Sequence, residues 1–110
     1  MAILSALYET NNTLQPSERR LDIDNISKWY HNWAHSTPFD FGNTIYKALL
    51  PLLKTKHTFE AKQSALKHNL NSRSNGALMR CMPMAVWTRD LEDQEIQKAV
   101  HAECELTHPN

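Results

Sequence analysis

Residues 71–87 read Asn71-Ser-Arg-Ser-Asn-Gly-Ala-Leu-Met-Arg80-Cys-Met-Pro-Met-Ala-Val-Trp87. A polar turn runs directly into an apolar segment, and the pattern predicts a helix from Gly76 to about Trp87, interrupted at Pro83. Asn75 or Ser74 suits the N-cap, because a short side-chain oxygen can accept a first-turn N–H. The first-turn N–H groups have no partner inside the helix. Together with the helix dipole they favour an anion, such as a phosphate or pyrophosphate. Gly76 has no Cβ, so a ligand can approach its backbone closely. Arg73 and Arg80 would add positive charge. An ordinary capped helix satisfies the same pattern, and these residues alone leave both readings open.

Helical periodicity continues on both sides. Ala2, Ile3, Ala6 and Leu7 repeat at helical spacing, so the chain opens inside a short helix. Asn11 to Arg20 is polar, contains Pro16, and reads as a loop. Asp22 or Asp24 can cap a second helix that buries Ile26, Tyr30, Trp33 and Ala34. Ser36 to Gly42 breaks it, with Pro38 pushing its predecessor out of the α region. Asn43 or Thr44 starts a third helix with Ile45, Ala48, Leu49 and Leu52 on one face, which Pro51 kinks or ends. Thr58 is expected to cap a weaker helix through Phe59, Ala61, Ala65 and Leu66, followed by a polar connector from Asn69 to Asn75. The last helix runs from about Glu92 to Glu105, with Ile96, Ala99, Val100 and Cys104 inward. The expected fold is all-α, an orthogonal bundle of about five to six helices in a single domain over residues 1–110. Met1 leaves no room for a cap before the first helix, and the chain stops at Thr107-His-Pro-Asn110 without a polar tail, so the domain is expected to be partial, cut at both ends.

Composition removes several function classes. Lys+Arg and Asp+Glu are both 12, giving no net charge. Nucleic-acid binders and polybasic membrane-surface proteins need an excess of cations. Hydrophobic residues make up 41% and charged residues 22%, within the globular range. The two glycines, Gly42 and Gly76, are wrongly spaced for a Walker loop and too few for a dinucleotide fingerprint. Cys81 and Cys104 do not make a disulfide framework. The N-terminus lacks a basic leader region, and the longest apolar run, Cys81 to Trp87, is far short of the ~20 residues of a membrane span. A cytoplasmic protein with reduced thiols and no membrane or nucleic-acid partner is expected.

Other polar groupings are weaker. His31 and His35 have a metal-pair spacing, but Asn32 stands where a zinc protease needs Glu, and no third ligand is evident. Surface or hydrogen-bonded histidines beside Trp33 explain them more simply. His101, Cys104 and His108 would form a zinc-like set if the last helix reached His108, but Pro109 argues that it stops earlier. His101-Ala-Glu103 echoes half of a deaminase signature whose second half is missing. Arg80, Met82, Met84 and Trp87 read either as core or as an adaptable recognition surface.

At three segments the chain resembles the ADP-ribosylglycohydrolase family. Trp33 with Pro38-Phe-Asp40-Phe-Gly42-Asn-Thr44 is similar to the family's Trp…Asp-x-Gly-x-Thr segment. Ser74-Asn75-Gly76-Ala-Leu-Met79-Arg80-Cys-Met-Pro83-Met-Ala85 is similar to its Asn-Gly-x-x-Met-Arg-x-x-Pro-x-Ala core. Leu106-Thr107-His108-Pro109 is similar to its Thr-His-x motif. The middle segment is the specific one.

The resemblance implies an all-helical fold and removal of ADP-ribose from protein side chains, or hydrolysis of related conjugates, with two divalent ions, magnesium or manganese. It implies that Ser72, Ser74, Asn75 and Gly76 face ADP-ribose and that His108 lines the same pocket, hydrogen-bonding or stacking on the ligand. Arg80 and Pro83 would be structural, and Asp40 and Gly42 would border the pocket. The family's Thr-Asp-Asp-Thr and Gly-Gly-Asp-x-Asp-Thr metal motifs do not occur here. Without those carboxylates no water is activated, so the chain alone is expected to hold no metal, to be inactive, and to keep part of an ADP-ribose pocket. Its expected partners are ADP-ribose or an ADP-ribosylated protein, and a complementing chain. The alternative is a helical interaction module that pairs with another chain.

Overall fold

Two prolines decide where helices stop. Proline cannot donate to the carbonyl four residues earlier, and its ring collides with that carbonyl in a continuous helix. For Pro83 that carbonyl belongs to Met79. The computed structural model, which describes residues 1–55 and 57–110, ends a helix at Met79 and begins the next at Met82. Between them, Arg80 and Cys81 turn on hydrogen bonds to the carbonyls three residues back, Ala77 and Leu78. The expected helix from Gly76 to about Trp87, interrupted at Pro83, is in fact two, divided ahead of the proline because Pro83 fits only within a first turn. Pro51 acts likewise on Lys47. The helix ends at Leu49, a 3-10 turn follows over Leu50–Leu53, and the freed Lys47 carbonyl accepts the Ser64 hydroxyl at 2.7 Å.

The described residues form α1 (Ala2–Asn11), α2 (Ile23–His35), α3 (Asn43–Leu49), α4 (Thr58–Asn69), α5 (Gly76–Met79), α6 (Met82–Thr88) and α7 (Asp93–Cys104), with no strand among them. The fold is all-α. The α1–α2 loop contains a 3-10 turn at Pro16–Glu18. It is closed by Asn11, whose side chain bonds both the N–H and the carbonyl of Arg20. No helix among the described residues is long and apolar enough to cross a membrane.

Helix starts follow local chemistry. Asp22 caps α2 by accepting the Asn25 N–H at 2.9 Å. Glu92 and Glu95 form a reciprocal capping box at the start of α7. The expected Thr58 cap is corrected: His57 holds the cap position, and the Thr58 hydroxyl points to Ser27 and Asp24. The reason is tertiary, since α2 supplies that hydroxyl with better-placed partners.

The core joins Ile3, Ala6 and Leu7 of α1 to Ile26 and Tyr30 of α2, with Leu49, Leu52, Ala61, Met84, Ala99 and Leu106. Burying such side chains stabilises a fold by about 1.5–3 kcal/mol each for the larger ones. α3 packs on α4, and the small Ala61 and Ala65 are fully buried on α4. Phe59 and Leu66, expected on the same helix, are 69% and 48% exposed, so the buried stripe is 61, 65 and 69. That stripe ends on Asn69, a polar residue 2% exposed.

Candidate functional site

A cavity of about 570 Å³ opens between the N-terminal end of α1, α2, the start of α3 and α5. Trp33, Asp40, Gly42 and Thr44 line one side, and Ser74, Asn75, Gly76 and Arg80 the other. The first wall depends on Gly42, whose φ of 66° is costly for any residue with a side chain. Asp40 supports it by accepting the Gly42 N–H at 3.0 Å.

The second wall is held from outside itself. α5 is one turn long, so it gives residues 72–75 little support. The Ser72 hydroxyl meets the Thr44 hydroxyl at 2.9 Å, and the Ser72 carbonyl accepts the Asn110 amide at 2.5 Å. The Ser74 hydroxyl lies 2.8 Å from His108 Nε2, whose Nδ1 lies 2.7 Å from the Thr107 hydroxyl. Asn69 stands behind both walls and donates to the carbonyls of Thr44 (2.8 Å) and Thr107 (3.0 Å). The backbone at Thr44 and at Thr107 cannot shift without stretching an Asn69 bond.

Of the five sequence-expected pocket residues, Ser74, Asn75 and Gly76 line the cavity, while Ser72 and His108 stand behind it as braces. Asn75 is the cap residue of α5, yet its side chain makes no cap bond, contrary to expectation. Gly76 is also read differently. A Cβ there would lie 3.1 Å from Ile45 Cδ1 and 3.2 Å from His108 Cε1, so the space it leaves is filled by this chain's own side chains. His108 has both ring nitrogens engaged, which leaves its ring no free nitrogen for a ligand.

Beneath Arg80 lies a buried polar group that the sequence did not reveal. Glu103, 2% exposed, accepts from Arg80 Nε at 2.7 Å and from the Tyr30 hydroxyl at 2.5 Å. The guanidinium carbon sits 5.6 Å from the Tyr30 ring centre. Arg80 Nη1 and Nη2 are buried with no partner among the described residues. Burial pushes the Tyr30 hydroxyl well above its usual range, and burial also raises the Cys104 thiol.

Burial, then the nearby Arg80 charge, lowers the His108 pKa below the ordinary 6.5. The unfolded chain therefore takes up this proton first as pH falls. Stability from this group is complete above about pH 6.5 and is lost as pH drops through the lower folded value. Urea midpoints at pH 7.5 and 5.5 should differ less for His108→Gln than for the intact chain. An identical pH response would refute this.

Two other histidines are tied to backbone carbonyls. His31 Nδ1 bonds the Leu52 carbonyl, and His35 Nδ1 bonds the His31 carbonyl at 2.9 Å. The His101–Cys104–His108 set is not assembled, because α7 ends at Cys104 and His108 turns to Ser74. Among the described residues no three His, Cys, Asp or Glu side chains converge as a metal site requires. The donor set present does not fit the ions that the resemblance implies.

The class is an all-α fold with a cavity walled by a Ser-Asn-Gly turn and an Asp-x-Gly turn. A family model described as ADP-ribosylglycohydrolase matches residues 1–110, and the chain belongs to that family. It is 29% identical over 115 residues to a protein of Acanthamoeba polyphaga mimivirus provisionally named ADP-ribosyl glycohydrolase L543. That alignment covers 100% of this chain and 31% of the relative, so the chain spans about a third of the relative's length. No solved structure matches it at a significant level.

Proposed function

We propose that this chain carries one side of the ADP-ribose pocket of an ADP-ribosylglycohydrolase domain, whose whole form hydrolyses ADP-ribose from modified side chains. The observation that carries the reading is the cavity wall of Ser74, Asn75 and Gly76 facing Asp40, Gly42 and Thr44. Family membership supports the same ligand. Hydrolysis needs an activated water, and the described residues offer no carboxylate cluster to hold metal ions for it. The chain by itself binds and does not turn over. Release of ADP-ribose from a modified protein by the purified 110-residue chain would overturn that statement.

Asn75 gives the cleanest binding test, because it is exposed and its side chain makes no cap bond. Asn75→Ala should change stability by no more than about 0.5 kcal/mol. It should weaken ADP-ribose binding several-fold, about the worth of one or two hydrogen bonds. Calorimetric titration of both proteins, with a urea melt of each, separates the effects. Unchanged affinity would remove Asn75 from the pocket.

A second reading, a helical module that pairs with another chain, draws on Leu78, Met79, Met82 and Val86 of α5 and α6, each more than half exposed. Light scattering across a concentration series tests it with respect to self-pairing, and a monomer throughout would count against it.

A further inference from the structure

The proton positions around His108 follow from which neighbours each group has. Thr107 is 1% exposed, and its hydroxyl has one hydrogen-bonding neighbour among the described residues, His108 Nδ1. A hydroxyl carries a single proton, and burying that proton without an acceptor is unfavourable. Were Nδ1 protonated, it would donate to Thr107, and the Thr107 proton would have no acceptor. The hydroxyl therefore donates to Nδ1. A neutral imidazole then carries its proton on Nε2, and Nε2–H donates to the Ser74 oxygen 2.8 Å away. The lowered His108 pKa keeps the ring neutral at neutral pH. Ser74 is exposed and lines the cavity. With its oxygen already accepting from the ring, its own O–H is left to donate into the cavity.

We infer that Ser74 is a specificity-determining residue that reads a hydrogen-bond acceptor on the pocket's ligand, an oxygen or ring nitrogen without a proton, and that buried Thr107 sets this polarity through His108. The ligand half of this inference rests on the pocket reading above. The same geometry removes a tempting alternative. A serine hydroxyl beside a histidine resembles a nucleophile and its base, but a base must offer an unprotonated nitrogen. Here Nε2 carries the proton and cannot take one from Ser74.

The test reads the ring nitrogens of His108 directly, in the intact chain labelled with ¹⁵N-histidine, at pH 7.5 and without ligand. A protonated Nε2 and an unprotonated Nδ1 are expected. The opposite tautomer, or an even mixture of the two, overturns the inference. In Thr107→Val, Nδ1 loses its donor and the ring should become a tautomer mixture; a ring unchanged from the intact chain overturns the role of Thr107. Ser74→Ala should weaken ADP-ribose binding about three- to tenfold, the range of one neutral hydrogen bond. Unchanged affinity in Ser74→Ala overturns the ligand half alone. Failure of the intact chain itself to bind ADP-ribose would instead sink the pocket reading, while the ring spectrum still decides the tautomer.

Discussion

Replacing Glu103 with leucine should destabilise the chain by about 3–5 kcal/mol, the cost of leaving a buried guanidinium without its counter-charge. Glu103 is 2% exposed, the Arg80 side chain is 16% exposed, and the two are 2.7 Å apart. The same substitution strips the Tyr30 hydroxyl of its acceptor. A domain of this size has a total stability of about 5–15 kcal/mol, so the loss is a large share of it. Urea denaturation read by circular dichroism measures it. Pairing Glu103→Leu with Arg80→Met should recover much of the loss, because an apolar pair of similar volume can replace a buried ion pair at little cost. A single-variant loss below about 1 kcal/mol would show that Arg80 finds other solvation, against its burial here.

The second large effect centres on Asn69. Asn69→Leu should cost about 2–4 kcal/mol, since two carbonyls, those of Thr44 and Thr107, lose their donor at once. Both carbonyls belong to residues that line the cavity. The loss should therefore reach the site as well as the global melt. Asn69→Asp keeps the shape but supplies no donor, so it should behave like the leucine variant rather than like the intact chain. The His108 ring resonances report the local effect, since Thr107 and His108 are adjacent. A variant with an unperturbed His108 and a loss under about 1 kcal/mol would show that Asn69 does not hold these walls together.

Much of this fold was legible because helix faces announce themselves. Ile26, Tyr30 and Ala34 recur at the spacing of one face and are buried together. What stayed hidden were polar residues on buried faces, because an apolar-periodicity reading discards them. The signal was present in register: Asn69 follows Ala61 and Ala65 at intervals of four, and Glu103 follows Ala99 by four. Continuing those stripes through the polar residue would have placed both inside. The split of α5 from α6 was half legible. Pro83 marked a disruption, but its consequence falls four residues earlier, at the Met79 carbonyl. At the pocket, residue types pointed to Ser74, Asn75 and Gly76 as a group. They could not separate residues facing the cavity from Ser72 and His108, which brace it, because that distinction depends on Thr44, Thr107 and Asn110 arriving from distant parts of the chain.

The one-turn length of α5 has a practical corollary for anyone handling this protein. Residues 72–75 owe much of their order to residues distant in the sequence, through Thr44 and Asn110 on Ser72 and His108 on Ser74. Substituting Asn110 or His108 would disturb that cavity wall while leaving the helix content almost intact. Samples that look equally well folded by circular dichroism can thus differ at this cavity wall.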